Sequence, residues 1–371
     1  MSSPQNELDR DLMIKALEAG RAGRPSPNPH VGALLWKSGA VLSTGHHERA
    51  GGDHAEIVAL KAAGAEAEGA TLYVTLEPCN HVGRTPPCTD AIIKAKIARV
   101  VIGCPDPNPH VPGGGVQKLR DAGVEVIEGV AEDRALALIR AWTKYVTTGT
   151  PYVSLKLALS LDGRIATRTG ASKWVTGPDA RAKVHALRAG SDAVAVGIGT
   201  AIADDPRLTV RDVNGDTPPR VVFDTRLRLP LESRLVTTAA KDAVIVLCTD
   251  EAPKAQEEAL ASFGVQVVRV DRSAEGRIDV PSALVALAER GIVRLMVEGG
   301  AELAGSFLAT RYADELHAFI APILLGPRGR PGAVDWAGPA SPQEAPRILK
   351  PTWELVGEDA YVHGRIHYQD Q

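Results

Sequence analysis

The sequence predicts an α/β protein built as two domains, and three observations carry that reading. Strand-like and helix-like runs alternate twice along the chain, and each series looks complete. A segment of threonine, glycine and proline, Thr147-Thr148-Gly149-Thr150-Pro151, separates the two series. The length, 371 residues, is long for a single core. We therefore expect domains at 1–148 and 149–371, each a sheet flanked by helices.

The first series opens with a helix over 7–19, followed by the proline-rich loop Arg24-Pro25-Ser26-Pro27-Asn28-Pro29. A strand pair is expected at 31–36 and 40–44, then a helix starting at His54. The apolar run 70–76 reads as a buried strand that delivers Glu77-Pro78-Cys79 at its C-terminal end. A helix over 89–97 follows, with Cys88 at its start, where the helix dipole favours a thiolate. A strand over 99–103, a helix after Gly113-Gly114-Gly115, a short strand over 124–127 and a long helix through Tyr145 complete the series.

The second series begins with a strand over 152–159 and the turn Asp162-Gly163. Proline in the first turn marks a helix over 178–188. Strands are expected at 193–198, 220–223 and 243–248, a helix at 281–290, and a strand at 292–297 that runs straight into Glu298-Gly299-Gly300. A helix over 301–310 and a closing strand over 316–325 end the pattern. Strand, two glycines and helix start form a place where backbone approaches a pyrophosphate closely and helix N–H groups face it. A tight left-handed turn explains the glycines equally well. Gly197-Ile198-Gly199 lacks the third glycine of a Rossmann fingerprint and does not open its domain, which argues against that fold.

Composition narrows the class. Hydrophobic residues make up 44% and charged residues 23%, the balance of a globular protein. Aromatics are only 4%, so the cores are built from Ala, Val, Leu and Ile. A net charge of −3 argues against broad nucleic-acid binding. No apolar run is long enough to span a bilayer, and the opening residues lack the basic and apolar blocks of a secretory signal. Four cysteines in this length do not form a disulfide scaffold. The expectation is a cytoplasmic protein, assembled as a homo-oligomer, with neither membrane nor nucleic acid as partner. Cys104 and Cys248 each end an apolar run and are read as buried structural residues.

The chemistry is concentrated in His54-Ala55-Glu56, Pro78-Cys79 and Cys88. One histidine and two cysteines hold zinc through three atoms and leave a fourth position for water, whose pKa falls to about 7. Glu56 then carries protons between that water and a leaving amine. The general zinc-deaminase signature is H-x-E followed by P-C-x-x-C. Here the first half is intact, and the cysteines stand nine positions apart. The competing reading makes both cysteines buried apolar residues.

Read over nearly its whole length, the chain resembles the bifunctional riboflavin-biosynthesis deaminase/reductase family. The first half carries Pro27-Asn28-Pro29, Val31-Gly32, Gly45, His47, Ala50-Gly51, His54-Ala55-Glu56, Thr75-Leu76-Glu77-Pro78-Cys79, Gly83-Arg84-Thr85-Pro86-Pro87-Cys88 and Asp106-Pro107-Asn108-Pro109. The second half carries Lys156, Ser160-Leu161-Asp162-Gly163, Ser172, Trp174, Gly199-Thr200, Ala203-Asp204-Asp205-Pro206, Leu208-Thr209-Val210-Arg211 and Val297-Glu298-Gly299-Gly300. The wide cysteine spacing is this family's form. The resemblance implies a cytidine-deaminase-like first domain with a mixed sheet and a second domain similar to dihydrofolate reductase. It implies removal of an amino group from a diaminopyrimidinone ribosyl phosphate, then reduction of the ribosyl chain to ribityl with NADPH.

Carried over position by position, the resemblance implies that His54, Cys79 and Cys88 bind Zn2+, that Glu56 shuttles protons and that Asn28 helps hold the pyrimidine. Ala158, Trp174, Thr200, Asp204, Gly299 and Gly300 would contact NADPH. Ser172, Arg188, Leu208, Arg211 and Glu298 would contact the phosphorylated substrate, with Lys156 an electrostatic partner near the reduced carbon. Without the resemblance, Asp204-Asp205 before proline reads as a turn, Arg188 as a surface residue compensating a helix dipole, and Trp174 as core. The chain departs from the family at Gly114, where a basic residue is usual, at Ile323, where lysine is usual, and at Asn80-His81-Val82, usually Ser-His-His. Two further readings stand beside this one: a protein with one live domain, the deaminase, or a zinc deaminase acting on nucleic acid.

Overall fold

A computed structural model describes residues 4–83, 86–111, 113–326, 328 and 332–369. The chain divides into two compact units, Met1–Gly149 and Thr150–Gln371. Among the described residues no helix is long and apolar enough to cross a membrane.

In the first unit, helix α1 (Pro4–Ala19) precedes the antiparallel pair β1 (Gly32–Lys37) and β2 (Ala40–His46). Helix α2 (Ala55–Ala63), strand β3 (Thr71–Leu76), helix α3 (Cys88–Lys94) and strand β4 (Arg99–Cys104) follow. Helix α4 (Gly115–Asp121), strand β5 (Glu125–Ile127) and helix α5 (Glu132–Thr148) close the unit. The strand order is β2-β1-β3-β4-β5, with β3, β4 and β5 parallel and β1 antiparallel to both its neighbours. This is the expected mixed sheet. Strands β3 and β4 are buried almost throughout, as parallel strands covered on both faces are. Gly32 is required by contact: a Cβ there would lie 1.9 Å from the Ala16 carbonyl oxygen, so any side chain pushes α1 off the sheet.

Asp9 on α1 is buried beneath that contact. It accepts two hydrogen bonds from Arg99 (2.9 and 2.6 Å) and one from the Tyr73 hydroxyl (2.7 Å). A charge taken out of water needs such partners. Here they tie the first helix to β3 and β4.

The second unit holds β6 (Tyr152–Ser160), α6 (Pro178–Ala189), β7 (Ala193–Gly197), α7 (Ile198–Asp204), β8 (Arg220–Phe223) and α8 (Arg234–Thr237). It continues with β9 (Val244–Cys248), α9 (Lys254–Ser262), β10 (Gln266–Arg269), α10 (Val280–Ala288), β11 (Arg294–Val297) and α11 (Ala301–Ala309). Strands β12 (Glu315–Ala321), β13 (Arg347–Val356) and β14 (Asp359–His367) end it. Among the described residues these strands form one sheet in the order β10-β9-β8-β7-β11-β6-β12-β14-β13. Successive residues of one strand feed opposite cores: Val194 and Val196 join α6, α8 and α9, whereas Ala193 and Ala195 join α10 and α11.

The sequence reading needs three corrections here. The strand expected over 316–325 ends at Ala321 and is not the last, because the antiparallel pair β13–β14 follows it. Pro351 hid β13. Proline is tolerated there because β13 is the sheet edge and its pairing slips between Leu349 and Thr352, where a ladder donor is not needed. Ile198 starts a helix rather than ending a strand, and α9 and β10 were not anticipated. Cys104 and Cys248 are buried, as expected.

Candidate functional site

Strand β3 carries the chain to Cys79 at its C-terminal end, α2 begins one residue after His54, and Cys88 is the first residue of α3. These three local events bring the ligand atoms of His54, Cys79 and Cys88 within 4.8 Å of one another. His54 Nδ1 lies 3.3 Å from Cys88 Sγ and 3.6 Å from Cys79 Sγ. A tetrahedral ion with bonds of about 2.3 Å to sulfur and about 2.0 Å to nitrogen sets ligand atoms about 3.5 Å apart. The two nitrogen–sulfur distances already stand at that spacing, and the N, S, S chemistry of the donors is zinc's, so the site fits the metal. The Cys88 backbone N–H donates to Cys79 Sγ at 3.3 Å, which orients the thiolate from behind.

Cys79, not Cys88, carries the lowered thiol pKa: a hydrogen bond from Cys88 is the main cause, against burial, with help from His54. Cys88 is pushed up by sharing its proton with Cys79 and by burial.

Glu56 is buried at 3% exposure in the first turn of α2, beside the metal ligands. Burial pushes its carboxyl above the usual range, and the nearby His54 opposes that shift. A carboxyl whose hold on a proton is strengthened by burial suits proton transfer.

These groups open into a cavity of roughly 310 Å³, also lined by Asn28, His47, His81, Asp106, Asn108 and Trp142. That volume falls in the range of small-molecule sites. Hydrogen bonding fixes how Asn28 faces the cavity. His47 Nδ1 lies 2.9 Å from the Asp53 carbonyl oxygen, which only accepts, so Nδ1 carries the proton. Burial lowers the His47 pKa and keeps the ring neutral. Its Nε2 therefore accepts, and the Asn28 amide donates to it at 2.9 Å. Asn28 Oδ1 is left as an acceptor for a ligand amino group. Arg84 and Thr85 of the Gly83–Cys88 motif lie outside the described residues.

In the second unit, Lys156 on β6 and Glu298 after β11 stand next to each other because Leu155 pairs with Val297. Lys156 Nζ lies 3.8 Å from Glu298 Oε2. Arg188, in the last turn of α6, grips Glu298 with Nε at 2.5 Å and Nη2 at 2.9 Å, and its Nη1 reaches the Thr209 carbonyl at 2.9 Å. Arg188 is thus buried and paired, not a surface residue. Burial raises the Glu298 pKa, but attraction to Arg188 and Lys156 outweighs it and holds the carboxyl at about 2. Burial lowers the Lys156 pKa, opposed by Glu298. Arg211 is exposed, and its guanidinium donates to Thr209 Oγ1 at 2.7 Å. The Arg211 backbone N–H lies 3.3 Å from His185 Nδ1. Three cations thus gather around one carboxylate, an imbalance that attracts an anion.

Beside this cluster, β7 and β11 are neighbouring parallel strands, and each runs through a glycine into a helix. Gly300 is the N-cap of α11 and offers no capping side chain, so the first helix N–H groups stay available. A Cβ on Gly300 would sit 3.1 Å from Thr200 Oγ1 and close the gap between the two helix starts. The open cradle fits a dinucleotide's phosphates. Ser172 donates to Asp204 Oδ1 at 2.8 Å, Leu208 is buried, and Ala158 lies on β6 beside Phe319 of β12. Trp174 is 68% exposed, far from a core residue.

Residues 151–362 match the family model of the RibD C-terminal domain, and residues 6–104 match the zinc-binding region of cytidine and deoxycytidylate deaminases. The riboflavin biosynthesis protein RibD of Aquifex aeolicus is 44% identical, over 96% of this chain and 98% of its own. The chain belongs to the RibD family. The Escherichia coli RibD is 38% identical over 96% of this chain and 98% of its own. Among solved structures, RibD from Acinetobacter baumannii superposes with a TM-score of 0.86 at 38% identity, covering 98% of this chain and 100% of that one. A Thermotoga maritima structure described as a diaminohydroxyphosphoribosylaminopyrimidine deaminase/5-amino-6-(5-phosphoribosylamino)uracil reductase gives 0.84 at 37% identity, covering 98% and 100%. As a RibD-family chain, the protein joins a zinc-dependent deaminase domain to an NADPH-dependent reductase domain. Three features had no weight in the sequence reading: His47 as the partner of Asn28, the α5 residue Trp142 in the cavity wall, and His185 behind Arg211. The signal for Trp142 was present, since α5 buries Ala135, Ile139 and Trp142 along one face.

Proposed function

We propose that this chain catalyses two successive steps of riboflavin biosynthesis on a diaminopyrimidinone ribosyl phosphate: deamination at the first unit, then reduction of the ribosyl chain to ribityl at the second. The observation that carries the reading is the convergence of His54, Cys79 and Cys88 beside buried Glu56 at a cavity of small-molecule size.

Zinc bound by those three residues supplies an activated water at neutral pH. Glu56 accepts a proton from the attacking water and delivers it to the departing amine, the two halves of one general acid–base cycle. Asn28 Oδ1 receives a ring amino group, because His47 has committed the amide nitrogen. In the second unit NADPH supplies the hydride. Gly299, Gly300 and Thr200 leave room for its phosphates, with Ala158, Asp204 and Trp174 along its length. Arg211 holds the substrate phosphate through charge-assisted bonds. Arg188 acts mainly through Glu298, which it fixes in place, and Lys156 faces the reacting carbon. Ser172 and Leu208 complete the substrate wall. The domains run 1–148 and 149–371, and the protein works in the cytoplasm as a homo-oligomer, a state that sedimentation of the purified chain checks.

The test supplies the diaminopyrimidinone ribosyl phosphate with and without NADPH and identifies products by mass. Without NADPH the product has lost an amino group, and with it the product has also gained two hydrogens. Cys88→Ser should lose its zinc. Glu56→Gln should keep its zinc and release ammonia at least about 100-fold more slowly. Full zinc in Cys88→Ser, or near-normal ammonia release by Glu56→Gln, refutes the respective role.

A further inference from the structure

The geometry points to Arg181 as a positioning residue for NADPH, acting through Trp174. The inference rests on the proposed reductase site and deepens it. An indole left 68% exposed needs a reason, because the largest apolar side chain is normally mostly covered. Trp174 is not on a loose loop. Ser172 Oγ and Lys173 Nζ bind Asp204 at 2.8 and 2.6 Å, Arg181 Nη1 binds the Thr176 carbonyl at 2.8 Å, and the Gly177 N–H binds Asp359 Oδ2 at 2.7 Å. The segment is pinned on both sides of the ring it exposes.

Arg181 supplies the remaining contact. Its guanidinium carbon lies 4.8 Å from the centre of the Trp174 ring, within cation–π range. Among the described residues no carboxylate pairs with Arg181. It also sits in the first turns of α6, where the helix dipole disfavours a cation. The ring face and the Thr176 carbonyl are what stabilise it there. With the guanidinium covering one indole face, the other face is presented as a flat, fixed surface. That surface is tethered to Asp204, the last residue of α7, whose first turn carries Thr200 beside Gly300. Thr200 stands four residues before Asp204 on α7, so the tether and the phosphate cradle lie about 6 Å apart along the helix. A dinucleotide holding its phosphates at the cradle reaches the ring with one of its flat bases.

The test is a double-mutant cycle on NADPH affinity, measured by equilibrium fluorescence titration of the full chain without substrate. Trp174→Ala should weaken NADPH about tenfold, the loss expected for a stacked aromatic contact. Arg181→Gln should weaken it about three- to fivefold, and Arg181→Lys less, since an ammonium keeps the cation but not the fork that reaches Thr176. In the Trp174→Ala background, Arg181→Gln should add less than about twofold, because its effect passes through the ring. Thermal melting of each variant should match wild type, which separates positioning from folding. The proposal is overturned if Arg181→Gln costs the same with or without Trp174, which makes Arg181 a direct phosphate contact. It is also overturned if either single variant binds NADPH like wild type, a result that leaves the reductase reading intact. Failure of the wild-type chain to bind NADPH refutes both.

Discussion

Glu298 shows how much one buried carboxylate sets in its surroundings. At 6% side-chain exposure it bears two hydrogen bonds from Arg188 and the field of Lys156, and its pKa falls to about 2. The unfolded value is about 4.3, and a group whose folded pKa is depressed contributes stability above the unfolded value. That contribution is lost as pH falls from about 4.3 toward 2. Glu298→Gln leaves two buried cations without their counter-charge, a loss of about 3 kcal/mol. We expect its thermal midpoint to lie well below wild type at pH 7, with the gap narrowing as pH drops through 4. Melting curves of both proteins across that range check it, and a gap constant with pH would refute the assigned charge state.

Among the elements, α1 is tied to its sheet through a buried carboxylate. Asp9 joins it to Tyr73 on β3 and Arg99 on β4. Burial raises the Asp9 pKa, but the hydrogen bonds from Arg99 and Tyr73 carry it below the normal carboxylate range. Asp9→Ala leaves the Tyr73 phenol without its acceptor and Arg99 with only Glu125 as counter-charge, and should cost about 3 kcal/mol. Lys96→Ala removes an ion pair of 2.9 Å between exposed partners and should cost less than about 0.5 kcal/mol. Denaturant midpoints of the two variants compare the predictions directly.

On the scale of the whole molecule, each unit has buried core residues and its own cluster of functional groups. Separate cores imply separable chemistry. Arg211→Ala should slow reduction and raise the KM for the deaminated substrate while ammonia release continues. Glu56→Gln should leave NADPH oxidation intact when the deaminated substrate is supplied. Following ammonia and NADPH separately for each variant decides this. Loss of ammonia release in a folded Arg211→Ala protein would mean that the two reactions share a site.

The zinc set was legible from the chain alone, because His54, Cys79 and Cys88 lie at the ends of strongly patterned elements and thiolate and imidazole chemistry admits few metals. The alternation of strands and helices was legible for the same reason: period and apolar runs are local properties. Local pattern failed where long-range pairing decides the outcome. Pro351 looks like a strand breaker until the sheet supplies an edge for it. Arg188 looks like a surface cation until β6 and β11 align Glu298 with Lys156 and cover most of all three side chains. Asn28 and His47 are 19 positions apart, and only their contact fixes which amide atom faces the cavity. The sequence by itself determined which chemical groups the protein owns and the elements that carry them. The tertiary structure alone decided their pairing, since burial and hydrogen-bond geometry arise only when distant segments meet.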